Sequence, residues 1–369
     1  MKPLTGIRVI ELARILAGPW CGQLLADLGA EVVKVERPGA GDDTRHWGPP
    51  FLHDADGANL DAAYYHSCNR GKSAVAIDIA TPQGQAQVRR MIADADVVIE
   101  NYKVGGLVKY ALDHASLAAA HPRLITCSIT GFGQTGPYAH RAGYDFIIQG
   151  MGGIMSLTGE PDGAPQKSGI AYADIFTGTY AAVAILAALR RRDATGAGAH
   201  IDMALLDTQV AVLANQALNW MANPAKVPQR MGNGHANLVP YQAFACADGE
   251  LIVAVGNDGQ FAKLNEVLGL ALQHDDRFAT NPARVTHRDA LIPLLARVIL
   301  DWSKQDLAAA LEAKGVPAGP INTVAEVFAD PQVVARGMRV ALDGLPGVAS
   351  PIVIDGERMV AERPSPRRP

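Results

Sequence analysis

Cysteine is scarce, with four in 369 residues (Cys21, Cys68, Cys127, Cys246), far apart and never in Cys-x-x-Cys spacing. A disulfide framework and a cysteine zinc site are therefore not expected, and the implied compartment is a reducing one. The ten histidines are scattered, with no His-x-x-x-His pair and no acidic or thiol set at ligand spacing, so no metal site is expected. A Gly-x-Ser-x-Gly elbow is missing, which argues against a serine hydrolase. No uncharged apolar run reaches the ~20 residues of a membrane span, and Arg8 and Glu11 interrupt the N-terminal apolar stretch where a signal segment would lie. Basic excess is absent too: the formal charge is -4, which gives no field for nucleic acid. The expectation is a cytoplasmic protein that binds neither nucleic acid nor membrane. Neither an internal repeat nor a low-complexity block is visible.

What is present is a chain with 49% hydrophobic residues, long enough for two domains, because single cores stop growing near ~250 to 300 residues. Five short β-branched runs, 7–12, 31–36, 73–79, 96–100 and 124–130, alternate with amphipathic stretches and predict an α/β fold with a parallel sheet. Gly18-Pro19 opens the first helix and Gly29 ends it, while Thr81-Pro82 opens another. A Pro- and Gly-bearing stretch from Asn223 to His235 reads as a linker to a smaller domain. That domain holds a strand at 250–255 and helices at 260–268, 288–300 and 304–314. The tail from Glu362 to Pro369 is rich in Pro and Arg and is expected to be loosely held.

Ligands of such sheets bind beyond the carboxyl ends of the strands. Gly131-Phe-Gly-Gln-Thr-Gly136 fits Gly-x-Gly-x-x-Gly, but Pro137 follows directly and no helix begins there, so a turn is expected rather than a dinucleotide site. Glu36 stands where a ribose-binding acid would, yet Ala17-Gly18-Pro19 is not the required glycine turn. Basic and amide residues cluster near strand ends: Arg37, Arg45, Asn69, Arg70, Lys72, Asn101, Lys103, Lys109, His140 and Arg141. Phosphates favour such a set, although part of it is expected to be ordinary solvated charge. Asp174 stands ahead of Tyr180 to Leu189, a run with no polar face and therefore expected to be buried on all sides. Its carboxylate has two local explanations, a helix cap or a nucleophile.

Several segments together resemble one family, the class III CoA-transferases of the CaiB/BaiF type, which include formyl-CoA transferase, carnitine-CoA transferase and the α-methylacyl-CoA racemases. They are Ala17-Gly-Pro19, Gly29-Ala-x-Val-x-Lys34-Val-Glu-Arg37, Asp78-x-x-Thr-Pro82-x-Gly84, Asp96-Val-x-Ile-Glu-Asn101, Gly143-Tyr-Asp145, Ala173-Asp174, Gly232-Asn233, Pro240-Tyr241 and Val316-Pro-Ala-Gly-Pro-Ile321. The resemblance implies a large Rossmann-like domain (1–222, completed by about 335–369), a small α+β domain (223–334) and an interlocked homodimer. It implies no tightly bound cofactor, with a coenzyme A thioester and a small carboxylic acid as substrates.

By the same resemblance Asp174 is the nucleophile, Tyr144 a hydrogen-bond donor and Asp145 a supporting carboxylate. CoA is held around Leu16, Ala17, Arg37, Ile77, Asn101, Tyr102, Lys103, Lys109, Arg141 and Ala142. Gly232, Asn233 and Gly234 form a loop over the substrate. Racemases carry histidine where this chain has Tyr144, and a phenol with an ordinary pKa near ~10 is poorly matched to α-proton abstraction at neutral pH. Transfer is therefore expected, with the racemase and a non-catalytic acyl-CoA-binding protein as alternatives. Ala142 replaces a lysine usual in relatives, and the tail lacks their usual ending. The sparse glycines of the 232–235 turn favour succinate or a similar short dicarboxylate over oxalate and formate.

Overall fold

In the computed structural model, which describes residues 1–54 and 56–369, the predicted strands appear as β1 (Arg8–Glu11), β2 (Glu31–Glu36), β3 (Ser73–Ala76), β4 (Val97–Glu100) and β5 (Ile125–Thr130). A sixth strand, β6 (Ala199–Ala204), was not anticipated. Its Ala-His-Ile-Asp-Met-Ala sequence alternates polar and apolar, as suits an edge strand with one wet face. All six are parallel, in the order β3-β2-β1-β4-β5-β6. Neighbouring residues feed opposite layers. Val9, Val32, Val97 and Ile99 join one core, and Ile10, Val33, Val35 and Val98 join the other. That two-sided burial explains why these strands read as continuous apolar runs. Strand order and helices on both faces make this a Rossmann-like sheet.

Between the strands run α1 (Ala17–Asp27), α2 (Pro82–Ala93) and α3 (His114–Ala120), followed by α4 (Asp145–Met151), α5 (Tyr172–Thr195) and α6 (Leu205–Ala211). In α2, Thr81 accepts from the Gly84 amide and Pro82 occupies the first turn, the start signal read from sequence. Helix α5 packs against α1, α4, α6, β5 and β6. By length and composition it is the one described helix able to cross a membrane, but here it lies among sheet and helices as a core helix does. Its burial is not complete as expected: Ala181, Ala182 and Ile185 are buried, whereas Tyr180 and Val183 are exposed.

The chain divides into two units. The first comprises 1–154, 167–214 and 330–369, and the second 155–166 and 215–329. The segment 155–166, placed by sequence in the large domain, groups with the second unit, where the Gly232 amide donates to Gly159 O and Arg230 donates to Gly163 O. That unit contains an antiparallel sheet of β7 (Tyr241–Cys246), β8 (Gly249–Ala254) and β9 (Ala318–Pro320). Helices α7 (Asp258–Leu268), α8 (Arg288–Ile299) and α9 (Lys304–Ala313) accompany it around Phe244, Leu251, Phe261, Leu291 and Leu307.

The C-terminal tail is not loose. Ser365 is 5% exposed and its Oγ lies 2.6 Å from His66 Nδ1, Arg368 pairs with Asp61 at 2.5 Å, and Gly71 N donates to Arg363 O.

Candidate active site

Asp174 occupies the first turn of α5. The residue at the cap position is Ala171, which has no side chain to offer, and Asp174 accepts no hydrogen bond among the described residues. Capping therefore does not explain it. The acceptor at this helix start is Asp145, from α4, whose Oδ1 takes the Ala173 amide at 2.8 Å while Oδ2 takes Gln149 Nε2 at 2.7 Å. Gln149, fully buried, also accepts from Ser168 N at 2.8 Å and so fixes the loop that leads into α5. Sequence gave no hint of Gln149. Burial, and then the nearby Asp145 carboxylate, push the Asp174 carboxyl up to about 7.

Gly178 lies one turn after Asp174 on the same face. A side chain there would strike Ala17 O, so the glycine lets the N-terminal end of α1 approach α5 beside the carboxylate. A second glycine contact shapes the opposite wall. A Cβ on Gly131 would stand 2.5 Å from Gly143 Cα, so the turn after β5 rests directly on the Gly143-Tyr144-Asp145 segment. The Gly131–Gly136 motif thus serves backbone packing, with Gly133 and Gly136 at positive φ.

These walls enclose a cleft of about 460 Å³ that Asp174 lines together with Leu16, Ala17, Asn101, Tyr102, Lys103, Lys109, Arg141, Ala142 and Tyr144. Lys103, Lys109 and Arg141 have no carboxylate partner among the described residues. Arg141 stacks on Tyr138, 3.9 Å from the ring centre. Tyr144 is 58% exposed. Arg37 and Ile77 do not line this cleft: Arg37 is exposed beyond β2, and Ile77 is core, 4% exposed. Gly232, Asn233 and Gly234 belong to the second unit, where Gly232 takes positive φ against Glu160. A larger cavity of about 700 Å³, lined by His53, Asp61, His66, Asp343, Ser365 and Arg368, does not include Asp174. Its polar groups are largely engaged in holding the tail, so volume alone does not mark the reactive site.

Much of the basic and amide set has another use. Arg45 is buried, bonded to Glu36 at 2.6 and 2.7 Å and to Asp61 at 2.6 Å, so neither Arg45 nor Glu36 is free for a ligand. Arg70 pairs with Asp27, Lys72 with Glu11, and Asn69 accepts from Lys72. Only their burial reveals this. Asn101 lines the cleft, but its Oδ1 accepts from Arg14 N at 2.9 Å and its Nδ2 donates to Arg14 O at 2.7 Å. His140 is exposed and outside the walls.

Tyr64 was missed by sequence. It does not line the cleft, but its phenol is pushed up to about 12 by burial and then by the charge of Asp174, and its ring meets Trp47 edge-on at 5.2 Å. Nothing in the local sequence signals this, because the field of Asp174 reaches Tyr64 only through the fold.

The pattern of CoA-transferase family III matches residues 4–368. The chain belongs to CoA-transferase family III. Among relatives of this transferase, a protein of Agrobacterium fabrum named succinate–glutarate CoA-transferase is 58% identical over 371 residues, covering 99% of this chain and 92% of its own. The mouse succinyl-CoA:glutarate CoA-transferase is 44% identical over 92% of this chain and 76% of its own. A crystal structure of a CaiB/BaiF family protein from Brucella suis, 58% identical, superposes with a TM-score of 0.88 over 99% of this chain and 96% of that one. The transferase has no group of three or more His, Cys, Asp or Glu side chains suited to a metal ion among its described residues, and its four cysteines are buried thiols.

Proposed function

We propose that this family III CoA-transferase exchanges CoA between succinate and glutarate through covalent intermediates on Asp174. The observation that carries the assignment is the partly buried carboxylate without a hydrogen-bond donor, poised near neutrality in a cleft that three cations without carboxylate partners also line. A desolvated carboxylate is a far better nucleophile than a hydrated one. The 58% identical relative's name supports the acid pair.

The Asp174 carboxylate attacks the thioester carbonyl of succinyl-CoA, the C–S bond breaks, and CoA thiolate leaves a succinyl-aspartyl anhydride. The thiolate then attacks the aspartyl carbonyl, releasing succinate and leaving an aspartyl-CoA thioester. Glutarate repeats the two steps in reverse order, ending as glutaryl-CoA with Asp174 regenerated. One thioester forms for each one broken, so no ATP is required. Lys103, Lys109 and Arg141 suit the CoA phosphates, and the phenol of Tyr144, which lines the same cleft, suits donation to a developing oxyanion.

The exposed apolar side chains Phe146, Ile147, Met151, Tyr180, Val183 and Val210 on α4, α5 and α6 suit coverage by a second copy, as an interlocked homodimer requires. Four buried thiols suit a reducing cytoplasm.

The test is mass spectrometry after incubation with succinyl-CoA and isotopically labelled glutarate, with Asp174→Ala in parallel. Labelled glutaryl-CoA from the unmodified enzyme alone, with a CoA adduct on the Asp174 peptide, is the expected result. Turnover confined to monocarboxylates or oxalate would remove the succinate–glutarate assignment. Deuterium uptake at the α-carbon of a 2-methylacyl-CoA without transfer would point to a racemase.

A further inference from the structure

Ile15, in the turn between β1 and α1, has φ +72°, a conformation that a β-branched residue adopts only under constraint. Side chains from elsewhere in the first unit grip the turn's backbone. Lys34 Nζ donates to Ala13 O at 2.8 Å, Asn101 holds both Arg14 N and Arg14 O, and the Asp42 carboxylate accepts from Ile15 N at 3.3 Å. Those grips rest on one buried charge cluster. Lys34 Nζ also reaches Glu11 and Asp42, each at 2.9 Å. Lys72 Nζ reaches Glu11 at 2.8 Å, Pro19 O at 2.8 Å and Asn69 Oδ1 at 2.9 Å. Both ammonium groups thus have three acceptors, matching their three donors. Gly22 of α1 makes room for Glu11 and Lys72 beneath the helix.

Buried ion pairs of this kind add little stability over well-packed apolar side chains, so their presence asks for another explanation. The turn they fix leads directly to Leu16 and Ala17, which line the same cleft as Asp174. The amides of Leu16 and Ala17 find no acceptor among the described residues.

We propose that Asp42, Lys34 and Asn101 are positioning residues of the transfer reaction: they hold Ile15 in its strained turn and so set the Leu16–Ala17 wall against the thioester that Asp174 attacks. The assignment of Asn101 departs from a CoA contact, because both ends of its amide are already engaged. It rests on the assignment of Asp174's cleft as the site of transfer.

Asp42→Asn keeps the shape of the side chain but removes its charge, and Asn101→Ala frees Arg14 without stranding a buried ion. Each is expected to lower kcat for succinyl-CoA and glutarate by about 10- to 100-fold, as misplacement by about 1 Å does. KM for succinyl-CoA should change by less than about threefold. Ile15→Gly added to Asn101→Ala should recover part of kcat, since glycine takes positive φ without strain. Crystal structures of both single variants should show Ile15 leaving positive φ. If Asp42→Asn does not fold, Asn101→Ala carries the test alone. Unchanged kcat in the folded variants overturns the proposal, as does a raised KM at unchanged kcat for Asn101→Ala, which would make it a ligand contact. Ile15 retained at positive φ overturns it whether or not the enzyme turns over, whereas failure of the unmodified enzyme to exchange CoA counts only against the proposed function.

Discussion

Replacing Asp174 with asparagine is expected to abolish transfer and also to stabilise the folded chain above neutral pH. The carboxyl titrates near 7 in the fold against an ordinary 3.8, so the folded state holds its proton longer than the unfolded chain does. Between pH 4 and 7 the folded chain therefore binds the more protons, and stability falls as pH rises through that window and levels off above it. At about 1.4 kcal/mol per pH unit the raised pKa costs the folded state about 4 kcal/mol at pH 8 and roughly 1.5 kcal/mol at pH 5. Asparagine is neutral throughout and nearly isosteric. Water entering the cleft and local relaxation reduce the full value, so a gain of roughly 1–3 kcal/mol at pH 8, shrinking toward pH 5, is expected. Denaturant unfolding of both proteins at the two pH values measures it, with a rise of a few degrees in Tm as a check. An asparagine variant no more stable at pH 8, or equally favoured at pH 5, would show that Asp174 is not the strained carboxylate described, and residual transfer would show that it is not the nucleophile.

The same titration sets the pH dependence of activity: kcat/KM should rise with pH through about 7, because only the carboxylate attacks, and a flat profile from pH 5 to 9 would contradict this. Asp145→Asn removes the like charge that helps raise Asp174, so the rising limb should move to lower pH, while a single amide oxygen can no longer accept from both Ala173 N and Gln149 Nε2, which lowers the plateau. Arg45→Met leaves buried Glu36 without its cation and Asp61 with Arg368 alone, and should cost about 3–5 kcal/mol in unfolding free energy. Deleting residues 362–369 removes Ser365 from His66 and Arg368 from Asp61, and should lower stability by about 1–3 kcal/mol, read as a drop in Tm; an unchanged Tm would mean the tail contributes nothing.

The sheet was legible in the sequence because its strands are buried on both faces: Val32-Val33 and Val97-Val98-Ile99 are apolar without interruption, and helix-start chemistry such as Thr81-Pro82 separates them. The edge strand at 199–204 escaped because its half-wet alternation carries a weaker signal than a run of apolar residues. Asp174 stood out for the same kind of reason, as a single carboxylate opening an apolar helix. The tail misled, since Pro and Arg usually mark solvent, and here Arg368 and Ser365 find partners more than 290 residues away.

Sequence by itself determined the α/β alternation and the two-part organisation, and it singled out the carboxylate proposed to carry the reaction, because periodicity, turn chemistry and a charge at the head of an apolar run are local properties. Tertiary structure alone decided which cations are free. Arg45, Arg70 and Lys72 look no different in sequence from Lys103, Lys109 and Arg141, but the first three meet buried carboxylates and the last three face an open cleft. It also decided the protonation of Asp174, which depends on desolvation and on Asp145, brought alongside by the packing of α4 on α5. Coulomb energies and burial depend on distances in space, and sequence separation does not encode them.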